Sequence, residues 1–145
     1  MNAVAELGAA HLVRDLMTEA VQVAHPDDPL AEVHERMEQL ACRHMPVVDE
    51  EGDLVGLVTH RDLLRHALIE QPEVPRYVES VLLGRLTVRQ VMVQEVETAE
   101  PRTDLRQAAQ TMLDNKFGCL PVVEGRRLVG ILTESDFVRR VALTP

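Results

Sequence analysis

The chain has 145 residues, with 24 acidic and 15 basic side chains, a formal net charge of −9 and 46% apolar residues. Only Tyr77, Phe117 and Phe137 are aromatic, so the core is built from Val, Leu, Ala and Met. No apolar run reaches the roughly 18 residues of a membrane span, residues 1–12 lack the basic and apolar regions of a secretory signal, and a net acidic chain suits duplex nucleic acid poorly, because its phosphates need clustered Lys and Arg.

Taken in chain order, the Ala-rich residues 1–12 are expected to form an N-terminal helix or arm. A short helix over Val13–Met17 precedes a short strand over Val21–Ala24. Leu30, Val33, Met37, Leu40 and Ala41 recur at helical spacing, with Asp27-Asp28-Pro29 as N-cap material. Two apolar runs, Met45–Val48 and Leu54–Val58, flank the turn Asp49–Asp53 and predict a β-hairpin with buried strands. A helix follows Thr59. Residues 71–87 form a connector broken by Pro72 and Pro75, with a short helix over Arg76–Leu83 that Gly84 ends.

The same series then returns. A helix over Val88–Met92 leads to a strand over Val96–Ala99. An amphipathic helix carries Leu105, Ala108, Ala109, Met112 and Leu113, with Thr103-Asp104 at its start and Gly118 as its C′ residue. A hairpin of Leu120–Val123 and Leu128–Leu132 follows, and a last helix begins after Thr133. The match is residue by residue. Val13-Arg14 and Met17 recur as Val88-Arg89 and Met92, and Pro46-Val47-Val48 as Pro121-Val122-Val123, at an offset of 75. Past the hairpin turn the offset is 74: Leu54-Val55-Gly56 recurs as Leu128-Val129-Gly130, and Thr59 and Asp62 as Thr133 and Asp136. Two copies are too few for an open solenoid. The expected class is therefore α+β, two β-α-β-β-α repeats packed with pseudo-two-fold symmetry. The division is an arm at 1–12, a first repeat at 13–70, a connector at 71–87 and a second repeat at 88–145, in one globular module.

Charge and histidines are uneven. Residues 1–72 hold 5 basic and 14 acidic side chains, and residues 73–145 hold 10 of each. All six histidines lie between His11 and His66, without HxxxH or HxH spacing, and are read as surface residues rather than a metal site. Cys42 and Cys119 make no CxxC pair and are read as small buried hydrophobes in a reducing, cytoplasmic setting.

The chemistry concentrates at T-x-x-D, present twice as Thr59-His60-Arg61-Asp62 and Thr133-Glu134-Ser135-Asp136. A strand ends and a helix begins there, so unpaired N–H groups and the helix dipole favour an anion. The Thr hydroxyl adds a donor, and an acceptor-only carboxylate suits both hydroxyls of a ribose diol. The same pattern is also a capping box, in which Thr caps the helix and the acid reaches back. Arg61 places a fixed positive charge at the first mouth and His60 adds a second when protonated, whereas Glu134 opposes a polyphosphate at the second and leaves Ser135 as a neutral donor. The first mouth is therefore expected to be the better phosphate binder.

The stretches MPVVDEEGDLVGLVTHRDL and LPVVEGRRLVGILTESDF, each with its preceding helix, resemble the tandem cystathionine-β-synthase (CBS) domain pair, over about Val13 to Ala142. The resemblance implies ligand clefts between the halves that take AMP, ADP or ATP, or S-adenosylmethionine or NAD, with no cofactor required for folding. By the same resemblance Val23, Ala24, His44, Met45 and Pro46 line the first site, and Thr98, Ala99, Cys119, Leu120 and Pro121 the second. No P-loop, GxSxG, HExxH or Cys–His arrangement marks an enzyme. The resemblance implies a stand-alone regulatory module that senses an adenine nucleotide and signals to a separate, unknown protein. The alternative is a ligand-free dimerisation or interaction module. A homodimer is expected, with Leu63, Leu64, Leu68, Phe137, Val138 and Val141 as its face unless they pack internally.

Overall fold

Leu30, Val33 and Met37 recur at three- and four-residue spacing, and the helix they form, α1 (Leu30–Leu40), buries all three. In this computed structural model, which describes residues 10–68 and 85–143, the order continues with β1 (His44–Val48), β2 (Leu54–Thr59), α2 (His60–Leu68), α3 (Val88–Val91), α4 (Leu105–Asn115), β3 (Cys119–Glu124), β4 (Arg127–Thr133) and α5 (Glu134–Leu143). A single 3-10 turn at Val13–Asp15 precedes them. The helix expected over Arg76–Leu83, its stop at Gly84, and most of the expected N-terminal arm lie outside the described residues.

The described chain divides into two units, one of residues 22–68 and 85–96, the other of residues 10–21 and 97–143. Each is built on an antiparallel hairpin, β1–β2 in the first and β3–β4 in the second. His44 faces Thr59 and Val48 faces Leu54, and in the other unit Cys119 faces Thr133 and Glu124 faces Arg127. The register slips at the same point in both, between Val47 and Val48 and between Val122 and Val123. Length differs only in the turn. Gly52 and Gly125 take φ of +88° and +65° there, a region that L side chains rarely enter.

The strands expected over Val21–Ala24 and Val96–Ala99 shrink to one parallel bridge each, Ala24 to Val47 and Ala99 to Val122. Two hydrogen bonds secure each bridge: Ala24 N–H to the Pro46 carbonyl and Val48 N–H to the Ala24 carbonyl in one unit, Ala99 N–H to Pro121 and Val123 N–H to Ala99 in the other. Too few neighbouring residues pair for a strand to extend.

The leading segment of each sequence repeat packs into the unit of the other repeat. Val88 N–H donates to the Asp28 carbonyl at 3.0 Å and Arg89 N–H to Pro26 at 2.8 Å. Val13 N–H donates to Thr103 and Arg14 N–H to Pro101, both at 2.9 Å. Val88 joins Leu30, Val33, Met37, Met45, Val47, Val58 and Leu63 in one apolar core, and Val13 joins Leu105, Ala108, Met112, Leu120, Val122 and Leu132 in the other. Burying a Val side chain is worth about 1.5–3 kcal/mol, so the exchanged segments are part of each core.

The far edge of each hairpin receives a residue two or three positions past the helical turn of the exchanged segment. Leu57 and Val93 exchange two backbone hydrogen bonds at 2.9 Å, as do Ile131 and Thr18. This approach explains the glycine in each L-V-G triplet. A Cβ on Gly56 would lie 2.7 Å from Met92 Sδ and 3.0 Å from the Val93 carbonyl oxygen, and one on Gly130 2.8 Å from Met17 Sδ and 3.1 Å from the Thr18 oxygen.

Caps differ from the sequence reading in two places. Asp104 caps α4, its carboxylate accepting from Arg106 N–H at 2.8 Å and Gln107 N–H at 3.2 Å. At α1, by contrast, the N-cap is Pro29, which offers no side-chain acceptor, and Asp28 instead takes the His25 N–H at 2.9 Å. The left-handed residue ending α4 is Lys116, φ +57°, not Gly118, and its counterpart after α1 is Ala41, φ +52°.

Candidate functional site

Both T-x-x-D segments form complete capping boxes. Asp62 N–H donates to Thr59 Oγ1 at 3.1 Å, while Asp62 Oδ2 accepts from Thr59 N–H at 3.1 Å and from the Thr59 hydroxyl at 2.8 Å. In the other unit Asp136 N–H donates to Thr133 Oγ1 at 3.3 Å, and Asp136 Oδ2 accepts from Thr133 N–H at 2.8 Å and its hydroxyl at 3.2 Å. The N–H of the first helical residue is also used, His60 N–H on the Arg43 carbonyl at 2.8 Å and Glu134 N–H on Gly118 at 3.1 Å. Among the described residues this leaves the Arg61 and Ser135 N–H groups as the first-turn donors open to an anion.

The two carboxylates then diverge. Asp136 is buried, and its Oδ1 accepts from Thr18 Oγ1 at 2.9 Å and Arg139 Nη1 at 3.3 Å. An ionised carboxylate offers about four acceptor positions, and four donors meet this one. Asp62 is half-buried, and among the described residues only Thr59 donates to it, on Oδ2. The repeat equivalent of Thr18 is Val93, which lies at the matching place beside β2 and carries no hydroxyl. Arg65 is exposed like its equivalent Arg139, but among the described contacts it does not reach Asp62 as Arg139 reaches Asp136.

The structure places the expected lining residues unevenly. Ala24, Met45, Pro46, Ala99, Cys119, Leu120 and Pro121 are buried, so their side chains support the hairpins from within. The Pro46 and Pro121 carbonyls already accept the Ala24 and Ala99 N–H groups. Val23, His44 and Thr98 are half-buried, and Arg36 Nη2 holds the Val23 carbonyl at 2.9 Å. Burial raises the Cys119 thiol to about 12, and burial also raises Cys42; both are free thiols. Arg61 and Ser135 are exposed and His60 half-buried, all in the first turns of α2 and α5.

Sequence reading missed Thr18 and Arg139 as partners of Asp136. Arg139 stands at i+3 on the same helix, a spacing visible in the sequence, but Thr18 is 118 residues away and only the exchange of segments brings it there. Spacing also missed a cluster of His34, Glu38 and His60, whose donor atoms all lie within 4.8 Å of one another. Arg14 lines an open depression of about 770 Å3 in the 10–21 and 97–143 unit, with Arg102 and the acids Glu19, Glu100 and Glu124. Neither Thr133 nor Asp136 borders it. Arg89 instead pairs with the exposed Asp27 at 3.2 Å.

Known proteins are similar to this chain in sequence and in fold. The CBS domain family model matches residues 13–69 and 88–143. The protein MJ1225 of Methanocaldococcus jannaschii is 32% identical over 135 residues, 90% of this chain and 47% of that protein, so this chain spans about half of that relative's length. The CBS domain-containing protein YhcV of Bacillus subtilis is 30% identical over 124 residues, covering 86% of this chain and 81% of its own. The crystal structure of CBSX2 in complex with AMP superposes with a TM-score of 0.75 at 28% identity, over 92% of this chain and 97% of the other. No helix among the described residues is long and apolar enough to cross a membrane. The two capped hairpin-to-helix motifs, each inside a match to the same domain model, make this chain a member of the CBS domain family with a tandem pair of CBS domains.

Proposed function

We propose that the chain is a regulatory module that binds an adenine nucleotide at the mouth of α2 and passes the signal to a separate protein. The observation that carries this reading is that among the described residues none engages Oδ1 of Asp62, beside a capped helix start where Oδ2 is already held by Thr59. A ribose diol donates to that oxygen, the Arg61 N–H faces the phosphate, and the Arg61 side chain supplies positive charge. Likeness to a structure containing AMP supports an adenosine ligand. AMP, ADP and ATP fit this chemistry, and S-adenosylmethionine or NAD would share the adenosine part. At the mouth of α5 a ligand has to displace Thr18 or Arg139 from Asp136, so this mouth binds more weakly. The free thiols suit a cytoplasmic setting.

A second reading, a homodimerising interaction module without ligand, draws on α5. Val138, Val141 and Leu143 are 68%, 60% and 75% exposed, whereas Phe137 packs on its own core. In α2, Leu63 is fully buried and Leu64 half-buried, so of these two helices α5 is the one whose described side chains offer such a face, and Leu68 lies outside them.

A thermal-shift screen with AMP, ADP, ATP, S-adenosylmethionine and NAD tests the first reading. A ligand at a hundred times its Kd stabilises the folded chain by about 2.7 kcal/mol, a shift of several degrees. No shift with any of the five would overturn the sensor and leave the interaction module.

A further inference from the structure

We propose that His34, Glu38 and His60 form a site for one divalent transition-metal ion of the Zn2+ type. α1 sets His34 and Glu38 four residues apart on one face, with His34 Nε2 and Glu38 Oε1 3.3 Å apart. His60 opens α2, and its ring stacks on that of His34 with centroids 5.7 Å apart and planes inclined by 20°. Each of the three side chains offers one donor atom, and all three atoms lie within 4.8 Å of one another.

Two imidazoles and one carboxylate are a set that binds Zn2+ and leaves a fourth position for water or an outside ligand. Zn–N and Zn–O bonds of about 2.0–2.2 Å place tetrahedral donor atoms roughly 3.3–3.5 Å apart. His34 and Glu38 already stand at that separation, and rotation of the His60 ring closes the rest. The supports are rigid. His34 is half-buried at the edge of the α1 face that buries Leu30, Val33 and Met37, and His60 is fixed by its N–H on Arg43 and by the Thr59–Asp62 cap behind it. Both imidazoles are half-buried while Glu38 is exposed, so one side of the cluster faces solvent and admits an ion. The second repeat is a built-in comparison. It has Ala109, Leu113 and Glu134 at the equivalent positions and lacks this donor set, so the site is expected once per chain.

The test is independent of any nucleotide. The full chain, freed of metal by a chelator, is titrated with Zn2+ by calorimetry and with Co2+ by visible absorption. One ion per chain, with Co2+ absorption of a four-coordinate nitrogen- and oxygen-ligated ion, is expected. His34→Gln and His60→Gln, checked for folding by circular dichroism, weaken binding by about tenfold or more each, Glu38→Gln weakens it less, and His25→Ala leaves it unchanged. Absence of uptake by the native chain, or uptake that His34→Gln and His60→Gln leave as tight, or that His25→Ala weakens equally, overturns the proposal.

Discussion

Thr18 Oγ1 donates to Asp136 Oδ1 at 2.9 Å across 118 residues of sequence, and its repeat equivalent, Val93, has no hydroxyl to offer Asp62. One side-chain oxygen thereby separates two otherwise matching capping boxes. The carboxylate that Thr18 reaches is buried and fully engaged. The other keeps an oxygen open among the described residues.

The contrast has a cost in stability. Asp136→Ala removes the hydrogen bonds from Thr18, Arg139 and the Thr133 N–H and hydroxyl, whereas Asp62→Ala removes, among the described residues, those from Thr59 alone. The donors left behind are exposed or half-buried and turn to water, so the cost is the net contribution of the lost bonds, about 1–3 kcal/mol in all, and Asp136→Ala, which loses four, is expected to lower stability more than Asp62→Ala. Urea denaturation of both variants checks the order.

Thr18→Val gives the α5 mouth the same neighbour that α2 has. It removes one hydrogen bond to a carboxylate, a loss of about 1.5 kcal/mol, the low end for such bonds because Thr18 is exposed, and frees an acceptor position on Asp136. Nucleotide binding at that mouth is expected to strengthen while stability falls, and calorimetry beside a thermal melt reads both.

The glycines of the L-V-G triplets hold the exchanged segments close. In Gly56→Ala the new methyl meets both the Met92 sulfur and the Val93 carbonyl oxygen. Overpacking of this kind costs about 1–3 kcal/mol. Adding Met92→Ala is expected to recover only part of the loss, because a flexible side chain yields and a backbone oxygen does not. Thermal melts of the single and double variants measure the recovered fraction.

Cys119 supplies the pH dependence. Its folded value of about 12 lies above the ordinary 9.0 because burial disfavours the thiolate. Below 9.0 the thiol is protonated whether folded or unfolded, and it adds no slope. Between 9.0 and about 12 the unfolded chain loses the proton and the folded chain keeps it, so stability falls as pH rises through that window. Alkylation under native conditions is expected to modify Cys42 well before Cys119, as peptide mass mapping would show.

Much of this was legible in the sequence, for identifiable reasons. The helical spacing of Leu30, Val33 and Met37 and of Leu105, Ala108 and Met112 marks the buried faces of α1 and α4, and the alternation around each turn marks both hairpins. The capping boxes lie within four residues and are equally visible. The exchange of Val13 and Val88 between repeats leaves no local pattern, and Thr18 at Asp136 depends on it. The end of α4 misled for a different reason. Gly118 suits a left-handed cap, yet the helix stops two residues earlier at Lys116, where Phe117 N–H reaches the Met112 carbonyl at 2.9 Å. Lys116→Gly is accordingly expected to stabilise the chain by about 1 kcal/mol.

In the proposed complex Asp62, rather than Asp136, receives the ribose. Isothermal titration of AMP into the native chain, Asp62→Ala and Asp136→Ala tests it most directly, with melts below the titration temperature excluded. The open carboxylate predicts a loss of about tenfold or more for Asp62→Ala, at least about 1.4 kcal/mol, and retained binding for Asp136→Ala. Equal losses in the two variants, or a loss confined to Asp136→Ala, would contradict it.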